Sequence, residues 1–287
     1  MSDPVTQTSS ATNRAGTKST RQLLELITER DTRILTSVAE FRLISTVQIQ
    51  QLHFAAHASV AAAIAASWSV LRRLETLRLL QRVGRRRRYG TGGSTPVTWA
   101  LGAAGERVTR FLAGQPDAPR RRNLLPVGDE YHHTLAVTDA YLRLVRAHRQ
   151  GRIELVDARG EPSAWRTYPG QLGRAITLKP DLAFITQTPE YRDHWFAEID
   201  LGHQSTPRLL RKCHRYEQYR ASGIEQRRLG IFPRVLWVLP DSARANRLRD
   251  AIAADRELKP DMFLVTSPEQ FIAAIQQGET GTNTIND

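Results

Sequence analysis

Residues 178–219 read LKPDLAFITQTPEYRDHWFAEIDLGHQSTPRLLRKCHRYEQY. Two short apolar runs in this stretch carry acid. The first, residues 178–186, has Asp181 directly after Pro180. The second, residues 194–201, has Glu198 and Asp200. Strand side chains alternate faces, so Glu198 and Asp200 project one way. Trp195, Ala197, Ile199 and Leu201 project the other way and form a predicted core face. The polar segment 187–193 between the runs suits a hairpin loop. A helix is expected next, with Thr206 as N-cap, Pro207 at the first helical position, and Leu209, Cys213 and Tyr216 on its apolar side.

Two carboxylates held close together can grip Mg²⁺ against a phosphodiester. A nearby lysine can then stabilise charge developing on the phosphate. The order P-D, hairpin, E-x-D resembles the core of the PD-(D/E)XK nuclease superfamily. That resemblance implies Asp181 and Glu198 as metal ligands, with Mg²⁺ as cofactor. The chain departs from the pattern at one position: Asp200 stands where the superfamily has lysine. Asp200 is then a candidate third ligand or base for water, and the cation must come from elsewhere. Lys212 on the following helix is the candidate. Arg211 is the weaker one, since arginine does not readily act as a proton donor. The same acids also suit a bland role as edge-strand or salt-bridge residues.

The 287-residue chain has room for two domains, with an ordinary 40% hydrophobic and 24% charged content. Its one cysteine, Cys213, excludes an internal disulfide and a cysteine-based zinc site, and fits a cytoplasmic protein. No apolar run reaches membrane-spanning length, and the polar start lacks a signal-peptide core. The net charge is +12. It is unevenly spread: residues 1–125 hold 19 Lys and Arg against 8 Asp and Glu, and the remainder 22 against 21. A localised basic excess is the footprint of a polyanion binder.

Residues 1–20 read as a disordered tail. Helical spacing then takes over, with Leu23, Leu24, Leu26 and Ile27, a break or bridge at Arg30-Asp31, and Ile34, Leu35, Val38 and Phe41. A short helix with Thr46 as N-cap follows. A longer one is capped by Ser59, with Val60, Ile64, Leu71 and Leu74 at helical spacing. Residues 79–83 and 97–101 read as strands around a basic, glycine-rich loop. Helix, short helix, long helix and a basic hairpin make a predicted winged helix-turn-helix over residues 21–115. Its long helix would offer Ser59, Ala62, Ala66, Ser69 and Arg73 to the major groove. Arg85, Arg86, Arg87 and Arg88 in the wing would reach phosphates or the minor groove. Each feature also has a plainer reading, as a solvated arginine run or an alanine-rich structural helix.

Residues 116–128 are a linker by composition. Residues 129–276 read α, β, β, β, α, β, α, β, α, and 277–287 as a polar tail. The fold class is thus α/β plus α+β: the N-terminal winged helix-turn-helix, then a restriction-endonuclease-like α/β domain with a mixed central sheet. The whole resembles the replication-relaxation family of plasmids and integrated mobile elements. The matching pieces are Arg30-Asp31 with Ile34-Leu35, Leu74 to Leu80, Trp99 to Gly105, His133, Lys179-Pro180-Asp181, Phe196 to Asp200, and Lys212 with Tyr216 and Tyr219. The resemblance implies a role in plasmid replication or in relaxation of plasmid DNA. Expected partners are double-stranded DNA, replication proteins and, in a homodimer, a second copy.

His132 and His133 open a helix at the entrance to the second domain and His203 lies just past Asp200; either could approach the acids as metal ligand or proton carrier, or be a plain helix-start or turn residue. The chain has no P-loop, dinucleotide fingerprint or nucleophile elbow. Three readings therefore stand: a DNA-binding protein with a metal-dependent endonuclease or nickase domain, a DNA-binding replication or transcription factor with an inactive nuclease fold, and a partner-binding adaptor.

Overall fold

The computed structural model describes residues 18–57, 59–83, 97–118, 125–170, 173–190 and 192–280. Two helices open it, α1 (Thr20–Glu25) and α2 (Glu29–Phe41), each started by a capping box, Ser19 with Gln22 and Thr28 with Asp31. The break between them therefore falls at 26–28, not at Arg30-Asp31. Asp31 is instead a capping residue in the first turn of α2, and it is fully buried.

Strand β1 (Ile44–Ser45) leads into α3 (Thr46–His53). Ser45 caps α3 in place of Thr46. The Thr46 hydroxyl is taken by the core, donating to Val97 O at 3.0 Å and accepting from Trp99 Nε1 at 2.9 Å. Helix α4 (Val60–Thr76) is capped by Ser59, whose Oγ accepts from the Ala62 N–H at 3.2 Å. Strands β2 (Leu80–Val83) and β3 (Thr98–Leu101) and helix α5 (Ala103–Leu112) complete this part. The three strands form one antiparallel sheet in the order β1-β3-β2. Helix α5 sits directly on the 78–79 turn. A Cβ on Gly102 would lie 2.3 Å from Arg78 O, and one on Gly105 2.0 Å from Leu79 O, so only glycine allows this approach.

The apolar spacing read on α4 holds for only half the helix. Leu71 and Leu74 are buried, with Ser67, but Val60 is 78% exposed and Ile64 42%. The residues buried in α4 begin at Ser67, so the core takes the second half of the helix and the first turns stand clear of it.

A long helix, α6 (Asp129–Arg149), begins the second part. Strand β4 (Glu154–Arg159) follows, then a hairpin of β5 (Arg166–Pro169) and β6 (Ala175–Leu178). The hairpin lies where the sequence reads as irregular. Its alternation is nonetheless present, with Tyr168 and Leu178 buried between exposed Thr167 and Thr177. Next come β7 (Leu182–Gln187), β8 (Arg192–Ile199), α7 (Thr206–Ala221) and α8 (Ile224–Leu229). The described residues end in β9 (Arg234–Val238), α9 (Ser242–Ala254), β10 (Phe263–Thr266) and α10 (Phe271–Thr280), the last running past residue 276. Ser205, not Thr206, is the N-cap of α7.

Five strands form a mixed sheet in the order β10-β9-β8-β7-β4. The pairs β4–β7 and β7–β8 are antiparallel; β8–β9 and β9–β10 are parallel. Trp195, Ala197 and Ile199 pack on the α6 and α10 side, Phe196, Val235 and Trp237 on the α7 and α9 side. The two parts share one apolar cluster, which runs from Leu23 and Ile34 through Trp99 to Val137, Leu182 and Trp195.

Candidate functional site

Asp181 sits just before β7 and Glu198 near the end of β8, and the antiparallel pairing brings these strand ends together. Asp181 N–H donates to Ala197 O at 3.1 Å. Its carboxylate Oδ2 accepts from Ile199 N–H at 2.7 Å and lies 3.2 Å from His133 Nε2, a residue of α6. Glu198 points to the opposite side of the sheet from Ile199. There its two oxygens meet two residues of α7 one turn apart, Lys212 Nζ on Oε2 and Tyr216 O–H on Oε1 at 2.5 Å. Asp200 lies beyond the end of β8. Its Oδ2 is taken by the Arg244 guanidinium from α9, which also donates to Gln204 O, while Oδ1 is buried with no partner.

The electrostatics follow from this crowding. Burial pushes the Asp181 carboxyl up, but the Lys212 charge, His133 and the Ile199 N–H outweigh it and hold the group below the ordinary carboxylate range. Burial pushes Glu198 up to about 8, with Lys212 opposing and Asp181 reinforcing. Burial pulls His133 down, but Asp181 outweighs it and leaves the imidazole at about 9. The Lys212 ammonium is lowered by burial and raised more by Glu198 and Asp181, so it stays charged. Asp181, Lys212 and His133 are thus ionised near neutral pH, and Glu198 is the member whose charge burial opposes most.

Glu161, on the loop after β4, joins this set. Burial and the nearby Asp181 charge raise its carboxyl. It lines a pocket of about 30 Å³, room for roughly one water, with Glu40, Arg42, His133 and Thr134. A larger groove, about 400 Å³, lies elsewhere, between β10, α9 and α10, and holds none of these residues.

Of the residues read as catalytic, the structure brings Asp181, Glu198 and Lys212 together and turns Asp200 aside to Arg244. Tyr216, His133 and Glu161 complete the cluster, and Arg244 pairs with Asp200 beside it. Tyr216 had a sequence signal, one turn after Lys212. Glu161 and Arg244 had none, because they come from a loop and a helix distant in sequence. The donors as arranged do not fit a two-carboxylate Mg²⁺ site. Both Glu198 oxygens and Asp181 Oδ2 are already engaged. Among the described residues no three His, Cys, Asp or Glu side chains converge to hold a metal.

On α4, Ala62 and Ser69 are exposed and Ala66 is half-buried, packed against the core. Arg73, partly exposed, is engaged within the protein. It pairs with buried Asp31 at 2.6 Å and donates to Leu26 O at 3.1 Å, which ties α4 to α1 and α2. Arg85, Arg86, Arg87 and Arg88 lie outside the described residues.

No described helix is long and apolar enough to cross a membrane. A family model described as replication-relaxation matches residues 35–235 of the chain. No curated protein and no solved structure matches it.

Proposed function

The chain belongs to the replication-relaxation family, and from that premise we propose that it is a double-stranded-DNA-binding factor of plasmid or mobile-element replication or relaxation. One observation carries this reading. In the first part, helices α2, α3 and α4 and a sheet ordered β1-β3-β2 follow each other as in a winged helix-turn-helix. Residues 21–115 are then the DNA-reading unit. The exposed side of α4, with Ser59, Ala62 and Ser69, faces the major groove. Arg73 serves this unit from within, by fixing α4 to α2. Residues 129–276 form a restriction-endonuclease-like unit. Its Glu198 is held by Lys212 and Tyr216 and its Asp181 by the Ile199 N–H and His133, so in this reading the second unit contributes contacts, not cleavage.

A second reading, a metal-dependent nuclease, is favoured by the convergence of Asp181, Glu198 and Lys212 at adjoining strand ends. It requires Lys212 to leave Glu198 when DNA and Mg²⁺ arrive. Supercoiled plasmid incubated with the full chain and Mg²⁺, Mn²⁺ or EDTA separates the two. The expected result is a retarded complex in all three, with no nicked, linear or relaxed product. Nicking with either metal but not with EDTA would replace the first reading by the second. Absence of any complex would remove the DNA-binding reading itself.

A further inference from the structure

We infer that α7 and the β5–β6 hairpin carry a second contact surface for a DNA phosphate backbone, beside the carboxylate cluster and separate from α4. This goes beyond the proposed function and rests on it only in taking DNA as the partner.

Arg208, Arg211 and Arg215 are all exposed on α7. Their spacing of three and four residues puts them on one face of the helix. The opposite face is buried through Leu209, Cys213 and Tyr216. Lys212, holding Glu198, lies at the boundary between the two, so the arginine row runs along the edge of the acid cluster. The hairpin adds Arg174 and Lys179, also exposed, and residues 162–180 contain no acid. Hairpin and helix are one packed surface: Tyr168 packs against Tyr219, ring centroids 5.1 Å apart and planes tilted by 40°, and its hydroxyl donates to Arg215 O at 3.4 Å. Lys179 Nζ is held 4.2 Å over the Trp165 ring.

These five cations lie together on one surface without acid partners. Several arginines nearby are paired instead, Arg220 with Glu217, Arg166 and Arg228 with Glu225, and Arg244 with Asp200. Among the described residues, Arg174, Lys179, Arg208, Arg211 and Arg215 make no ion pair. Like charges at these helical spacings repel, so folding alone gives no reason to line them up. A row of guanidinium groups suits phosphate oxygens, which such groups bind through forked hydrogen bonds. Phosphate contacts of this kind set register without reading sequence.

The near-neutral total of residues 126–287 conceals this surface. Asp181, Glu198, Asp200 and Glu225 count in the sum but are buried. Their charges are matched by Lys212, Arg244, Arg166 and Arg228, so the near-neutral total says nothing of where the remaining cations lie.

The test uses the full chain with Arg208→Gln, Arg211→Gln and Arg215→Gln together, and a fluorescent duplex in anisotropy titrations across salt. Each phosphate contact contributes about 0.9 to the slope of log K against log salt, so the slope should fall by roughly 2 to 3. The matching triple Lys variant should keep the wild-type slope. Arg192→Gln, at the opposite end of β8 from Glu198, should leave it unchanged. A Gln variant that binds with the wild-type slope would overturn the inference and leave the DNA-binding reading standing. So would a Lys variant that loses the slope, or an equal loss per charge from Arg192→Gln. A wild-type chain that binds no duplex would overturn both.

Discussion

Replacing Lys212 by Met keeps most of the side-chain stem and removes the ammonium from Glu198. Truncating one partner of a buried ion pair destabilises by about 3–5 kcal/mol when the other stays charged. Here the other need not stay charged. Glu198 already stands at about 8, raised by burial from an ordinary 4.5, and Lys212 is a group that opposes that rise. Without it the carboxyl goes higher still. At pH 6 both wild type and variant hold Glu198 protonated. The loss is then one charge-assisted hydrogen bond, about 2 kcal/mol. The sign at higher pH follows from linkage. Between pH 4.5 and the folded-state pKa the unfolded chain has released this proton and the folded chain has not, so stability falls as pH rises. In wild type that fall ends near pH 8. In the variant it continues, at up to about 1.4 kcal/mol per pH unit. Lys212's own contribution, from a pKa raised above 10.5, is fully present throughout this range. The deficit of the variant should therefore widen by roughly 1 kcal/mol between pH 8 and pH 9. Urea unfolding followed by tryptophan fluorescence at pH 6, 8 and 9 measures it. Adding Glu198→Gln to the variant should abolish the widening. A deficit independent of pH, or one that shrinks above pH 8, would refute the placement of Lys212 as the counter-charge of Glu198.

Two further outcomes follow from buried charge in the first part. Arg73→Met should destabilise by about 3–5 kcal/mol, since Asp31 is fully buried and loses the cation paired with it, and Asp31→Asn in the same chain should recover much of that in thermal unfolding. His53 is held at about 4, first by burial and then by Arg33, Arg149 and Arg30. Its contribution is present above pH 6.5 and is lost as pH falls toward 4, because the unfolded chain takes the proton first. Wild type should lose up to about 3 kcal/mol over that range that a His53→Gln chain keeps, read by urea unfolding at pH 7 and pH 4.5.

Much of this architecture is legible in the chain because local signals and tertiary demands agree. The alternation in residues 194–199 separates Trp195, Ala197 and Ile199 from Phe196 and Glu198, and the sheet buries both sets against different helices. Gly102 and Gly105 stand out in sequence, and each proves to sit under a backbone carbonyl. Other features need coordinates. The exposure of Val60 and Ile64 depends on where the core ends, which helical spacing does not encode. The partners of Asp200 and Asp31 are 44 and 42 positions away, Arg244 and Arg73, and no local pattern links them. Lys212 was legible because it is only 14 residues from Glu198, a single strand-to-helix step.

The join between the two parts constrains how a duplex could meet both proposed contact surfaces. Gln48 of α3 donates to Asp139 Oδ1 at 2.7 Å and to Leu135 O at 2.9 Å on α6. Arg149 of α6 reaches back to the Gln51 and Leu52 carbonyls at 2.7 and 2.6 Å. The Glu40 carboxylate accepts from Gly160 N–H at 2.7 Å, one residue before Glu161 in the acid cluster. With a continuous apolar cluster beneath them, these bonds make α6 a wedge fixed to both parts. Two contact surfaces on a fixed frame do not share a flexible tether's range of spacings. Either the α4 face and the α7 row engage one duplex at a set separation, or the duplex bends to reach the second. Changing duplex length in the anisotropy titrations therefore reads the frame directly. The salt-slope contribution of Arg208, Arg211 and Arg215 should appear at one threshold length and be absent below it. A flexible join would instead bring it in gradually.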